Sequence, residues 1–123
     1  MKRLLLDTNV VVWLLLGDRG AVSENAQQAL TDEHNIPSLS AVSVWEIAIK
    51  RSLGKLVIAA GWAQSLRRLD FDHMPVTSEH AEHLPWHHRD PFDRLLVAQA
   101  GLESHALVSA DPRLAAYGVE VIW

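Results

Sequence analysis

The chain contains no cysteine, so disulfides play no part in its stability and a reducing cytosol is an allowed location. It also lacks internal repeats, low-complexity stretches and any long linker rich in Pro, Gly or Ser. Its 123 residues suffice for one domain with a substantial core and are too few for two. We therefore predict a single domain that spans residues 1–123.

Long apolar runs are also missing, and none approaches the roughly 20 residues that a membrane span requires. The apolar stretch that ends at Leu16 follows two basic residues and superficially resembles a signal peptide. Asp7, Thr8 and Asn9 interrupt this stretch, and no small-residue cleavage site follows it. We expect a cytoplasmic protein without a membrane anchor.

Positive charge is scarce, because 11 Lys and Arg residues oppose 15 Asp and Glu residues and leave a formal net charge of −4. This is the wrong sign for a protein that binds nucleic acid through bulk charge. If the substrate is a nucleic acid, metal ions must offset the acidic centre, and local basic groups must hold the phosphates.

Short apolar runs alternate with segments of helical character, which is the pattern of an α/β protein. Runs without polar alternation predict buried parallel strands at residues 4–6, 36–39, 107–109 and 119–122, with an edge strand at 74–76. Helices are expected at residues 10–16, 23–30, 62–69, 77–84 and 91–101, and from Ser40 or Ser43 to Gly54. The sequence thus predicts a three-layer α/β/α fold with a central, mostly parallel sheet of four to five strands.

Acidic residues lie where these strands end and near the start of these helices. Asp7 and Asp111 each follow a strand, while Glu46, Asp90 and Asp93 lie near the beginnings of helices. A parallel sheet brings such positions to one edge, where several carboxylates repel each other unless a cation lies among them. Oxygen ligands of this kind suit Mg²⁺ or Mn²⁺. Phosphodiester hydrolysis is the chemistry that we predict for such a metal site.

Each acid also has a purely structural explanation. Three of them are placed as helix N-caps: Asp7, Asp90 and Asp111. Asp93 can close a capping box from the third position of its helix. Glu46 does the same if Ser43 is the cap, whereas a cap at Ser40 leaves Glu46 in the second turn, free to point into a cleft. Capping and catalysis are compatible, because a helix N-terminus helps to hold a carboxylate ionised.

Four segments in this order resemble the PIN-domain family, and within it the VapC-type toxins of bacterial toxin–antitoxin systems. They are residues 4–9 (LLLDTN), 40–50 (SAVSVWEIAIK), 89–100 (RDPFDRLLVAQA) and 107–111 (LVSAD). The resemblance spans essentially the whole chain and implies a parallel sheet flanked by helices. By position, it implies catalytic acids at Asp7, Glu46, Asp93 and Asp111.

The resemblance further implies an Mg²⁺- or Mn²⁺-dependent endoribonuclease that cleaves RNA such as tRNA or rRNA. Asp7, Asp93 and Asp111 would hold the metal, and Glu46 would bind a metal-bound water or act as its base. Thr8, or else Asn9, would steady Asp7 or a metal-bound water, and Asp90 would serve as a cap or a support. A homodimer and a cognate antitoxin laid over the groove belong to the same expectation.

Basic residues near these acids are candidates for contacts with the substrate or partner. Lys50 lies at the end of the Glu46 helix, and Arg94 lies directly beside Asp93. A cation at Arg94 could bind a substrate phosphate or an antitoxin carboxylate. Most other basic residues are expected to be solvated surface.

Other functions stay open at this point. A phosphatase with Asp7 as nucleophile is one, although Asn9 stands where phosphatases of the haloacid-dehalogenase type have a second Asp. A non-catalytic binding module whose acids serve only as caps is another. Four histidines could form a zinc site but lack any cysteine beside them: His80, His83, His87 and His88.

Overall fold

Five short parallel strands form the centre of the fold in the computed structural model, in the order β3-β2-β1-β4-β5. The strands are β1 Arg3–Leu6, β2 Ile36–Ser40, β3 Asp72–Met74, β4 Ala106–Val108 and β5 Val121–Ile122. The helices are α1 Thr8–Leu16, α2 Glu24–Thr31, α3 Ala41–Ser52, α4 Trp62–Arg68, α5 Ser78–Glu82 and α6 Pro91–Leu102, with short 3-10 helices at Arg19–Ala21 and Pro112–Tyr117. The structure describes residues 1–85 and 90–123, so Trp86, His87, His88 and Arg89 lie outside the described residues.

Alternate side chains of β1 enter two separate cores, because successive residues of a strand point to opposite faces of the sheet. Leu4 and Leu6 pack with buried side chains of α1, α2, α3 and α4. Leu5 packs on the other face with buried side chains of α6, such as Leu96 and Val97. Both faces of the sheet are therefore covered, and the predicted three-layer α/β fold is confirmed, with all of its strands parallel.

The central position of β1 brings three candidate segments to one edge of the sheet. β1 pairs with β2 on one side and β4 on the other. The backbone N–H of Asp7 donates to the carbonyl of Val108 at 2.9 Å, so the residues that follow β1 and β4 leave the sheet side by side. Ser40, which ends β2, leads directly into α3.

Several boundaries differ from the sequence prediction by one or two residues; α1 begins at Thr8 instead of residue 10, and β5 begins at Val121 instead of residue 119. The edge strand lies two residues earlier than expected and ends at Met74, since Pro75 has no N–H to offer to a ladder. Helix α5 ends at Glu82 instead of about residue 84. Within the described ranges, no helix combines the length and apolar character that crossing a membrane requires.

Candidate active site

Asp7 is a buried carboxylate that does not act as a helix cap. It occupies the N-cap position of α1, yet its side chain makes no capping hydrogen bond. Its Oδ2 atom instead accepts a hydrogen bond from the Ser109 hydroxyl at 2.7 Å. Burial raises the pKa of Asp7, while the Ser109 hydroxyl and the Thr8 backbone amide oppose that rise. The capping explanation therefore does not account for Asp7.

Glu46 is buried in the second turn of α3 because Ser40, and not Ser43, caps this helix. The Ser40 hydroxyl accepts a hydrogen bond from the Val42 amide at 3.0 Å. One carboxylate oxygen of Glu46, Oε2, lies 2.6 Å from Lys50 Nζ. The other, Oε1, is buried and has no hydrogen-bond partner among the described residues. A buried oxygen without a partner costs about 1–3 kcal/mol, so Glu46 is poorly explained as a purely structural residue.

Asp90 and Asp93 have different environments at the start of α6. Asp90 is the N-cap, and its Oδ1 accepts a hydrogen bond from the Phe92 amide at 2.9 Å. Asp93 is half-buried in the first turn, and its pKa is raised to about 7, first by burial and then by neighbouring acids. The capping explanation thus holds for Asp90, while Asp93 faces a strongly negative environment.

Asp111 makes structural contacts and also lies close enough to Asp7 and Asp93 for its charge to affect them. It caps the 3-10 helix that follows β4, and its Oδ1 accepts from the Arg113 amide at 3.0 Å. The Arg113 guanidinium also contacts both carboxylate oxygens, with Nη2 2.9 Å from Oδ2. The sequence analysis did not single out Arg113, and a basic residue two positions after a capping acid is the signal that could have indicated it.

The structure brings together the acids on which the sequence prediction rests. The charges of Asp7, Glu46 and Asp111 all raise the pKa of Asp93, and those of Glu46 and Asp111 raise the pKa of Asp7. Mutual effects of this kind require the carboxylates to share one region of low solvent exposure. We call these four residues, Asp7, Glu46, Asp93 and Asp111, the acid cluster.

The acid cluster offers only carboxylate oxygens, which are the ligands that a hard divalent cation such as Mg²⁺ prefers. Within residues 1–85 and 90–123, no group of three or more acidic or histidine side chains lies close enough together to hold a metal ion. Mg²⁺ does not require one, because it usually binds through one or two carboxylates together with water and substrate phosphate. The unpartnered Oε1 of Glu46 and the raised pKa values of Asp7 and Asp93 both indicate a place where positive charge is favourable.

Two serines support the acid cluster, and the sequence analysis did not identify either as a site residue. Ser109 donates to Asp7 and accepts from the Asp111 amide at 3.1 Å, so it ties the ends of β1 and β4 together. Thr8 is buried, and its hydroxyl lies 2.9 Å from that of Ser43, which joins α1 to α3. Asn9 is exposed. A small hydroxyl residue directly after a buried strand was the available signal for Ser109.

The two basic candidates lie near the acids in different environments. Lys50 is half-exposed and pairs with Glu46. Arg94 is half-buried, and its Nε donates to the Pro85 carbonyl at 2.8 Å. Arg94 therefore also contacts Pro85, the last residue of the first described range.

The described histidines of the zinc hypothesis make other contacts. His80 is buried, and its Nδ1 accepts from the Thr77 amide at 3.1 Å while its Nε2 lies 2.9 Å from Glu103 Oε1. His83 Nδ1 lies 2.8 Å from the Glu79 carbonyl. The remaining two histidines of that hypothesis, His87 and His88, lie outside the described residues.

Comparison with known proteins identifies a matching family and several solved structures with a similar fold. The model of the PIN domain family matches residues 4–120. No curated protein sequence matches the chain.

Three solved structures illustrate the similarity. VapBC2 from Rickettsia felis, bound to a DNA fragment from its promoter, has a TM-score of 0.66 at 14% identity, with 97% of this chain and 96% of that chain covered. FitAcB from Neisseria gonorrhoeae has a TM-score of 0.56 at 21% identity, with coverage of 96% and 95%. The PIN domain endonuclease Utp24 has a TM-score of 0.54 at 16% identity, with coverage of 97% and 82%.

Proposed function

The chain belongs to the PIN domain family, and on this premise we propose that it is a Mg²⁺- or Mn²⁺-dependent endoribonuclease that acts as the toxin of a toxin–antitoxin pair. PIN domains are generally nucleases, and one of the similar structures is a PIN domain endonuclease. The family match favours this function over a phosphatase or a non-catalytic binding module.

One observation carries the catalytic part of the proposal. Four separate segments deliver carboxylates to the same edge of the sheet, and one buried oxygen among them, Glu46 Oε1, has no hydrogen-bond partner in the described part of the chain. Caps account for Asp90 and in part for Asp111, but not for Asp7 or Glu46. A nuclease centre would explain why Asp7 and Glu46 are buried at this edge.

In this proposal each residue has its own role in phosphodiester hydrolysis. Asp7, Asp93 and Asp111 would hold the cation, directly or through water. When bound, the cation supplies a water of lowered pKa and stabilises charge on the phosphate. Glu46 Oε1 would take the proton of the attacking water, while the Ser109 hydroxyl orients Asp7 and favours its ionised form. Lys50 and Arg94 would bind phosphates of the RNA.

The proposal includes the partners and location of a VapC-type toxin. A cognate antitoxin would cover the groove beside the acid cluster, and two copies of the chain would form a homodimer. An RNA substrate such as tRNA or rRNA would be met in the cytoplasm, which is the proposed location. The similar structures VapBC2 and FitAcB support the proposal at the level of the fold.

Cleavage of cellular RNA tests the proposed function. Purified protein is incubated with total RNA in Mg²⁺, Mn²⁺ or EDTA, and new 5′ ends are mapped. We expect cleavage that EDTA abolishes and that falls at least about 100-fold in Asp7→Asn and Asp93→Asn. Asp18→Asn is the matched control, because Asp18 is exposed and makes no capping hydrogen bond. Full cleavage by both cluster variants would overturn the proposal.

A further inference from the structure

Lys50 and Glu46 form an ion pair on one face of α3, in which Glu46 is buried and Lys50 is half-exposed. The two residues are one helical turn apart, and Lys50 Nζ lies 2.6 Å from Glu46 Oε2. The Glu46 side chain is only 4% exposed, whereas that of Lys50 is 42% exposed. An exposed pair at this spacing contributes little, but here the ammonium reaches inward to a buried carboxylate that has no other ion-pair partner among the described residues.

The Lys50 ammonium also interacts with the acids at the start of α6. Its pKa is raised first by the hydrogen bond to Glu46, and then by the charges of Glu46, Asp90 and Asp93 against the effect of burial. The side chain therefore lies in the field of acids from two helices, although its stem begins on the surface of α3.

We propose that Lys50 is a built-in counter-ion of the acid cluster, which competes with the divalent metal and, once the metal is bound, becomes free to hold a phosphate of the substrate. This inference rests on the proposed function and deepens it. A unit positive charge and a divalent cation near the same carboxylates repel each other, so each weakens the binding of the other. The half-exposed, flexible stem of Lys50 allows its ammonium to turn towards solvent, where an RNA phosphate would lie.

Simpler roles for Lys50 predict different signs. If Lys50 only contacts RNA, its removal leaves metal affinity in the absence of RNA unchanged. If it only orients Glu46 for the metal, its removal weakens metal binding. If Lys50 is a competing counter-ion, removal of its charge strengthens metal binding and raises the KM for RNA.

Calorimetric titration of the RNA-free full chain with Mn²⁺ measures the first effect. We expect Lys50→Gln and Lys50→Met to bind Mn²⁺ about threefold to tenfold more tightly than the wild type. Lys50→Arg keeps the charge and should stay within about twofold. Lys55→Gln is the matched control for net charge, because Lys55 is exposed and has no ion pair in the described ranges. Thermal melts of all four variants check that each is folded.

Steady-state cleavage of a defined RNA at saturating Mn²⁺ measures the second effect. We expect Lys50→Gln to raise KM about tenfold, with Lys55→Gln close to the wild type. Unchanged or weaker Mn²⁺ binding in folded Lys50→Gln and Lys50→Met overturns the inference, as does equal tightening in Lys55→Gln. If the wild type itself binds no Mn²⁺, the proposed function fails as well, so the two failures are distinguishable.

Discussion

Ionisation of the Asp93 carboxyl is less favourable in the folded protein than in the unfolded chain. Burial, followed by the charges of its acidic neighbours, raises its pKa from the ordinary value of 3.8 to about 7. Between these values the folded protein retains a proton that the unfolded chain releases, so the free energy of unfolding falls as the pH rises. The contribution of Asp93 to stability is therefore least favourable above about pH 7.

Replacement of Asp93 by Asn should thus stabilise the metal-free protein at about pH 7.5 and have little effect at about pH 4.5. A shift of this size would correspond to about 4 kcal/mol for a fully buried group, and the partial exposure of Asp93 lowers the expected gain to about 1–2 kcal/mol. Urea unfolding in EDTA at both pH values measures the gain, with Asp18→Asn as the exposed control. A loss of stability at both pH values would contradict the prediction.

The sequence identified the acid positions but could not settle what each side chain does. Either Ser40 or Ser43 could have capped α3, and the choice decides whether Glu46 closes a capping box. The structure selects Ser40 because the hydroxyl of Ser43 is engaged with Thr8 on another helix. Such a contact links residues 35 positions apart, and no local pattern encodes it.

At the level of elements, Gln99 holds α6 against the start of α3. Its Oε1 accepts a hydrogen bond from the Ser40 hydroxyl at 2.5 Å, and its Nε2 donates to the Pro75 carbonyl at 3.2 Å. The same Nε2 lies 3.3 Å from His80 Nδ1, which extends the network to α5. Because Ser40 caps the helix that carries Glu46, this buried network aligns the helices of two cluster acids.

Replacement of Gln99 by Leu should lower the free energy of unfolding by about 2–4 kcal/mol, since the buried side chains of Ser40 and His80 each lose a contact. Urea unfolding measures the loss. Gln28→Leu makes the same change at an exposed position of α2 and should stay within about 0.5 kcal/mol of the wild type. A Gln99→Leu variant as stable as the wild type would show that the network contributes nothing.

The elements themselves were predictable, because apolar periodicity and capping residues act locally. Ser23 caps α2 and Pro91 opens α6, as the sequence indicates. The Gln99 network was not predictable, since a single polar residue in an apolar helix gives no sign of what it meets in the fold. Its partners come from β2 and from the segments around α5.

For the whole molecule, the fold class followed from the alternation of strands and helices, and the common edge followed from parallel topology. What the sequence could not supply was the balance of charge at that edge. The pairs of Glu46 with Lys50 and of Asp111 with Arg113 join residues that are close in sequence, but only the packing of the helices places both pairs beside the other cluster acids. The acid cluster is thus partly compensated by the chain itself.

The remaining imbalance predicts that a divalent cation stabilises the folded protein as a whole. Because the cation binds folded chains preferentially, Mg²⁺ or Mn²⁺ at about 100 times its dissociation constant should add about 2.7 kcal/mol to the free energy of unfolding. Protons compete for the same oxygens, and the raised pKa of Asp93 means that the gain should grow from about pH 5.5 to about pH 8.

Thermal melts in EDTA, in Mg²⁺ and in NaCl of equal ionic strength separate specific binding from general screening. Asp18→Asn should keep the full gain in melting temperature, whereas Asp7→Asn and Asp93→Asn should lose most of it, since each removes one of the charges that hold the cation. An equal gain in NaCl, or in Asp7→Asn, would mean that the convergence of acids at this edge has nothing to do with a metal. If the prediction holds, the stability of this edge and the chemistry proposed for it depend on the same ion.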